Sequence, residues 1–174
     1  VYNISEKYPS ELAIKANAHA LARYAALVQE TKMVPIVEPE VLMDGQHDIM
    51  KCYKVTANVL QECYKELKLH NVNLKGTILK PNMILAGNKS KDKSNTLEIA
   101  KMTLKCLKES VPNEVPGIAF LSGGQTEIEA TQNLNEINKI NNTNFTMSFS
   151  YGRALQQSAL KSWAKNIKDT NITQ

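Results

Sequence analysis

Four short apolar stretches end in side chains capable of chemistry: Glu38 and Glu40 flanking Pro39, Lys80 before Pro81, Ser122 with Gly123 and Gly124, and Ser150 with Gly152 and Arg153. Lys80 closes the run Thr77-Ile78-Leu79. The proline after it has no backbone N–H and biases its neighbour towards extended geometry, which puts Lys80 at a strand's C-terminal end. A lysine so placed is either an exposed strand-end charge or an imine-forming amine. The second role calls for an apolar, otherwise uncharged surrounding, because such a setting favours the neutral nucleophile. Glu38 and Glu40 share side-chain parity if their strand runs on through Pro39, so that both face the same way. Two carboxylates beside one lysine serve either as an ion pair that holds the fold together or as a proton shuttle next to the amine.

The two later stretches suit an anion. Gly123 and Gly124 let backbone N–H groups approach one closely, and a helix beginning at Thr126 adds its positive end, although a plain tight turn accounts for the same glycines. Arg153 carries the planar fork that matches phosphate, and Gly152 before it allows close approach of the chain. Taken alone, Arg153 reads equally as half of a surface ion pair.

Positioning these groups falls to alternating helices and strands. Ile14, Ala18, Leu21, Ala25 and Val28 recur by fours and threes and predict an amphipathic helix from about Ser10 to Glu30. Met33–Val37 reads as a buried parallel strand despite Pro35. After the loop at Asp44-Gly45, Ile49, Tyr53, Thr56, Leu60, Cys63 and Leu67 trace a long helix to about Leu69. A strand from Gly76 to Lys80 follows, then a polar loop from Gly87 to Ser94. Next comes a helix opened by the capping-box spacing of Asn95 and Glu98, with Leu97, Ala100, Leu104 and Leu107 on one stripe. Gly117–Leu121 and Thr146–Ser150 are the remaining strands. Thr126 and Glu129 form a capping box for the helix between them, and Leu155, Ala159, Leu160, Trp163 and Ile167 mark a last helix. Such alternation argues for an α/β fold with an all-parallel sheet, either doubly wound or part of a (β/α) barrel. No G-x-G-x-x-G or P-loop follows any strand, which favours the barrel. In a barrel, chemistry sits at the C-terminal ends of the strands and phosphate at the loops after the last two. The chain order matches: carboxylates, amine, then two anion sites.

The bulk of the sequence narrows the partners. At 174 residues, 43% hydrophobic and 22% charged, the chain is globular in composition and long enough to bury a core as one domain, residues 1–174. A net charge of +4 is scattered apart from Lys89, Lys91 and Lys93, a cluster without interleaved aromatics that reads as a solvated loop and not as a nucleic-acid surface. No run approaches the roughly 20 apolar residues of a membrane span, and Val1–Lys7 does not read as a signal peptide. Three cysteines without a C-x-x-C suggest neither a disulfide framework nor a zinc ribbon. Cys52 and Cys63 lie roughly 16 Å apart along one predicted helix, too far to bridge, and read as reduced packing residues of a cytoplasmic protein. His19, His47 and His70 stand singly in the sequence, without the clustered ligands of a zinc site.

Taken together, Val34-Pro35-Ile36-Val37-Glu38-Pro39-Glu40, Leu79-Lys80-Pro81-Asn82-Met83, Phe120-Leu121-Ser122-Gly123-Gly124 and Ser148-Phe149-Ser150-Tyr151-Gly152-Arg153-Ala154 resemble class I fructose-bisphosphate aldolase. Ala20–Ala25 and Asp44-Gly45 extend the likeness over nearly the whole chain. The resemblance implies a parallel (β/α)₈ TIM barrel that reversibly cleaves fructose 1,6-bisphosphate to dihydroxyacetone phosphate and glyceraldehyde 3-phosphate, in cytosolic glycolysis and as a homo-oligomer, a tetramer. It implies Lys80 as the Schiff-base lysine, Glu38 as the proton-transferring glutamate and Glu40 as a supporting carboxylate. Ser122, Gly123, Gly124, Ser150, Gly152 and Arg153 match the loops that hold the C1 phosphate. A protonated imine is itself the electron sink for carbon–carbon cleavage, so this chemistry calls for no metal or other cofactor.

The likeness also has a gap. The chain begins in the helix before what would be strand five and lacks counterparts of the family's earlier aspartate and lysines and of its C-terminal tyrosine. It is therefore expected to be a half-barrel, strands five to eight, of a longer subunit. A non-catalytic aldolase-like module that binds phosphate or protein, and a Schiff-base aldolase for another phosphorylated sugar, are the alternatives.

Overall fold

Four of the five α-helices among the described residues begin on a side chain that accepts a backbone N–H the helix itself leaves unpaired. In the computed structural model, which describes residues 1–91 and 93–165, Ser10 caps α1 (Glu11–Glu30) and Asp48 caps α2 (Ile49–Leu69). Asn95 caps α3 (Thr96–Ser110) and Thr126 caps α4 (Glu127–Ile140). At α4 the expected capping box is complete, with the Glu129 side chain returning to the Thr126 backbone. α5 (Arg153–Lys165) follows directly on the last strand. No described helix is long and apolar enough to cross a membrane.

The strands β1 (Ile36–Val37), β2 (Ile78–Leu79), β3 (Gly117–Phe120) and β4 (Thr146–Phe149) form one parallel sheet in sequential order. That order separates the two architectures left open by the sequence. A doubly wound sheet reverses direction partway, whereas steady progression with same-handed crossovers puts every connecting helix on one face, as in a barrel wall. Register places Val37, Leu79, Ile118 and Met147 side by side, with Phe120 beside Phe149 two residues on. Val37, Leu79, Ile118 and Phe120 are at most 1% exposed beneath the helices. Each such burial is worth about 1.5–3 kcal/mol. The alternate residues Ile36, Thr146 and Ser148 lie on the other face and are exposed.

Two expected strands are shorter than their apolar runs. Met33 and Val34 remain exposed and outside the sheet because β1 is an edge and Pro35 offers no donor; the Pro35 carbonyl accepts the Ile78 N–H, while the Met33 N–H turns back to Val28 O at the end of α1. A turn at Leu74–Gly76 takes up the start of the second. The last helix departs further. Leu155, Leu160 and Trp163 are 61%, 55% and 45% exposed and Ala154 alone is buried, so the predicted stripe is present but uncovered; Ile167 lies outside the described residues. Tyr2, which carried no sequence signal, bridges in parallel to Val41 and is buried.

Candidate active site

The parallel ladder continues past the strand ends and ties the reactive segments together. The Lys80 N–H donates to Val37 O (2.8 Å), Leu121 N–H to Pro81 O (3.1 Å) and Ser150 N–H to Phe120 O (2.9 Å). Lys80 thus stands one step beyond Leu79, and Glu38 one step beyond its partner Val37, on the face away from the helices. Their side chains meet, with Lys80 Nζ 3.1 Å from Glu38 Oε1 and side-chain exposures of 20% and 42%. The surrounding is therefore not the uncharged one expected for Lys80: a carboxylate occupies it. An ion pair this open to solvent contributes at most about 1 kcal/mol to stability. Its chemical value is a proton acceptor within reach of the amine.

Glu40 does not join the pair. The strand stops at Val37, and the Glu40 N–H donates back to Glu38 O across Pro39 (3.1 Å), a tight turn that ends the alternation on which shared parity depends. Glu40 is half-buried and forms no ion pair among the described residues. What holds this corner is a residue given no role by sequence reasoning. Asn82 is buried; its Oδ1 accepts the Val41 N–H (3.1 Å) and its Nδ2 donates to Thr56 Oγ1 and Met83 O (3.1 Å each). It locks the segment after Lys80 to the segment after Glu40. An asparagine directly behind Lys80-Pro81 was the available signal.

At the third strand end, Gly123 (φ +62°) and Gly124 (φ +91°) are the central residues of a tight turn closed by Gln125 N–H to Ser122 O (3.1 Å). Positive φ at both positions is why glycine occupies them. The tight-turn reading is thus borne out, and it leaves room for the other. No hydrogen bond among the described residues uses the Gly123 or Gly124 N–H, and the capped start of α4 follows two residues on.

Ser150 is fastened to β3 by its backbone, and Arg153 opens α5, exposed and without an ion pair among the described residues. Gly152 has nothing within 4 Å of the position a Cβ would take. The Tyr151 hydroxyl donates to Ala130 O (2.9 Å), tying this segment to α4, and burial pushes the phenol up to about 12.

The cysteines are free and buried, as expected of packing residues. The histidines are not all single. His19 Nδ1 lies 3.0 Å from Glu66 Oε2, and His70 stacks edge-on against His19 with ring centroids 4.9 Å apart. The packing of α1 on α2 joins residues 47 apart in sequence. His47 stands apart, its pKa lowered by burial.

A family model for Fructose-bisphosphate aldolase class-I matches residues 1–174. Among curated relatives, a "Probable fructose-bisphosphate aldolase class 1" of Xanthomonas axonopodis pv. citri (strain 306) is 52% identical over 167 residues, covering 96% of this chain and 50% of the relative. "Fructose-bisphosphate aldolase 4, cytosolic" of Arabidopsis thaliana is 55% identical over 173 residues, covering 99% of this chain and 44% of the relative. A solved structure of fructose-bisphosphate aldolase from Plasmodium falciparum, in complex with TRAP and a small-molecule inhibitor, is similar at a TM-score of 0.92 and 43% identity, over 96% of this chain and 49% of that one. The chain spans about half the length of the curated relatives it matches.

Proposed function

The chain belongs to the class I fructose-bisphosphate aldolase family, and from that premise we propose that it carries the imine-forming half of an active site that reversibly cleaves fructose 1,6-bisphosphate to dihydroxyacetone phosphate and glyceraldehyde 3-phosphate. The fold is α/β, its four parallel strands being a consecutive run of a (β/α)₈ TIM barrel, and residues 1–174 form one partial domain of it. The observation that carries the reading is the Lys80–Glu38 pair: an amine and a carboxylate 3.1 Å apart, at neighbouring strand ends, on the face that a barrel turns inward.

The chemistry follows from that pair. Lys80 gives up a proton, and Glu38 is in place to take it. The neutral amine adds to the C2 ketone, forming a carbinolamine. Glu38 then returns the proton to the departing hydroxyl, water leaves, and a protonated imine remains. As C3–C4 breaks, its electron pair moves to the imine as an enamine, and the C4 hydroxyl passes its proton to the Glu38 carboxylate as it becomes the aldehyde. Protonation at C3 and hydrolysis release dihydroxyacetone phosphate and restore the amine. Ser122, Gly123, Gly124, Ser150, Gly152 and Arg153 hold the C1 phosphate through free N–H groups, the positive end of α4 and the guanidinium. Glu40 supports Glu38 through the backbone turn between them. The remaining wall of the site, assembly into a homo-tetramer and a cytoplasmic setting complete the proposal.

Dihydroxyacetone phosphate and sodium borohydride, added to the chain and followed by intact mass and peptide mapping, test it. Reduction of the imine leaves a stable secondary amine, expected on Lys80 alone. An adduct on another lysine, or none on Lys80 either in this chain or in a whole-length subunit carrying it, would overturn the assignment.

A further inference from the structure

We propose that His19, Glu66 and His70 form a binding site for one divalent transition-metal ion of the Zn²⁺ and Co²⁺ type, bridging α1 and α2. Each residue offers one ligand atom, and the three atoms lie within 4.8 Å of one another. His19 Nδ1 is 3.0 Å and His70 Nδ1 3.8 Å from the same Glu66 oxygen. Ligand atoms around tetrahedral zinc, at bond lengths of about 2.0–2.1 Å, stand roughly 3.3 Å apart, so small side-chain rotations close the set. Two imidazoles and one carboxylate are a donor set suited to zinc or cobalt, with one position left to water.

The surroundings favour coordination over a simple ion pair. One carboxylate needs one histidine, yet two rings converge on Glu66. They come from helices that pack closely, through Ala18, Ala22 and Ala25 on α1, each 0% exposed. Glu66 and His70 are four apart on α2 and so share its face. His70 Nδ1 also sits 2.9 Å from the Glu66 carbonyl, a backbone contact that fixes the tautomer and leaves Nε2 as the ligating nitrogen, so the 3.8 Å from Nδ1 to the Glu66 oxygen records how close the ring lies and is not a ligand-to-ligand distance. Side-chain exposures of 55%, 18% and 23% leave an entry path. Metal binding competes with protons for these ligand atoms.

The site is remote from Lys80. α2 leaves the C-terminal end of β1 and returns the chain to the start of β2, so its last turn lies towards the end of the sheet opposite Lys80. The inference is thus independent of the imine chemistry.

Zn²⁺ titrated calorimetrically into the 174-residue chain, with Co²⁺ absorption as a second readout, tests the proposal. One equivalent should bind, raise the melting temperature and, as Co²⁺, give the intense visible bands of a tetrahedral site. Loss of a direct ligand should exceed the about 10- to 100-fold cost of losing an outer partner, so His19→Ala, His70→Ala and Glu66→Gln should each weaken binding more than about tenfold. His19 is more than half exposed, so His19→Ala keeps the fold, which circular dichroism checks. His47→Ala should bind as the parent does. No saturable binding, binding unchanged in all three variants, or loss that follows His47 instead would each overturn it.

Discussion

In the proposed mechanism Glu38 handles the same proton twice, accepting it from Lys80 across their 3.1 Å contact and then returning it to a leaving hydroxyl. Glu38→Gln keeps the shape and removes the proton traffic. The rate of borohydride-trapped adduct formation with dihydroxyacetone phosphate should then fall about 10²-fold or more. Glu40→Gln should slow it far less, since that side chain stands outside the pair; equal losses would show that both carboxylates act on the amine. A second prediction concerns the thiols. Burial pushes Cys63 and Cys106 from 9.0 up to about 12. The unfolded chain releases these protons as pH passes 9.0 while the folded chain holds them, so their contribution is whole below 9.0 and is lost as pH rises towards about 12. Urea midpoints should fall with pH across that window. Cys63→Ala with Cys106→Ala should flatten the fall between 9.0 and 10.0, before exposed tyrosines titrate in the unfolded chain. At this scale the sequence was partly legible. Lys80 and Glu38 lie at strand ends that proline and apolar runs mark plainly. The alignment of His19 with Glu66 and His70 was not legible, because it depends on how two helices pack.

Elements convert those residues into a site by fixing the loops that carry them. The loop after β1 is clamped to the loop after β2: Gly87 N–H donates to His47 O, Asn88 N–H to Met43 O, and Lys89 N–H to Gly45 O, at 2.8–2.9 Å. A Cβ on Gly87 would stand 2.3 Å from Gly45 O, inside any tolerable contact, whereas one on Gly152 would meet nothing within 4 Å. Gly87→Ala should therefore force the loops apart and cost about 1–3 kcal/mol, read from urea unfolding. Gly152→Ala should stay within about 0.5 kcal/mol of the parent, its effect confined to phosphate affinity. A comparable stability loss at both would show that the clamp does not hold the loops. Helices were the most legible elements, because caps such as Ser10, Asn95 and Thr126 and stripes at helical spacing are local. Strand lengths were less so. A strand exists only where a neighbour pairs with it, and Met33 and Val34 are apolar but have no such neighbour.

At the scale of the whole fold, and among the described residues, the crossovers that put the connecting helices on one side leave the opposite face of the sheet and its two edges uncovered. Val34, Ile36 and Phe149 are 58%, 44% and 49% exposed, and α5 adds Leu155, Leu160 and Trp163. Apolar surface on this scale, next to unpaired strand edges, drives association. The relatives are twice as long, so in a whole subunit further strands can cover what is open here. Alone, the chain has only itself as a partner, and two copies joined edge to edge would enclose both open faces. The weight-average mass from sedimentation should therefore rise with concentration. Trp163, the one tryptophan of the chain, reports on the same event, because its 45% exposure should fall and its emission move to shorter wavelength as the mass rises. Movement of the two together would assign the contact to the α5 side of the open surface. A rise in mass with unchanged emission would assign it to the β1 edge. A chain that stays monomeric at every concentration, with Trp163 still wet, would show that the exposed apolar face is stable in water and would remove this argument for association.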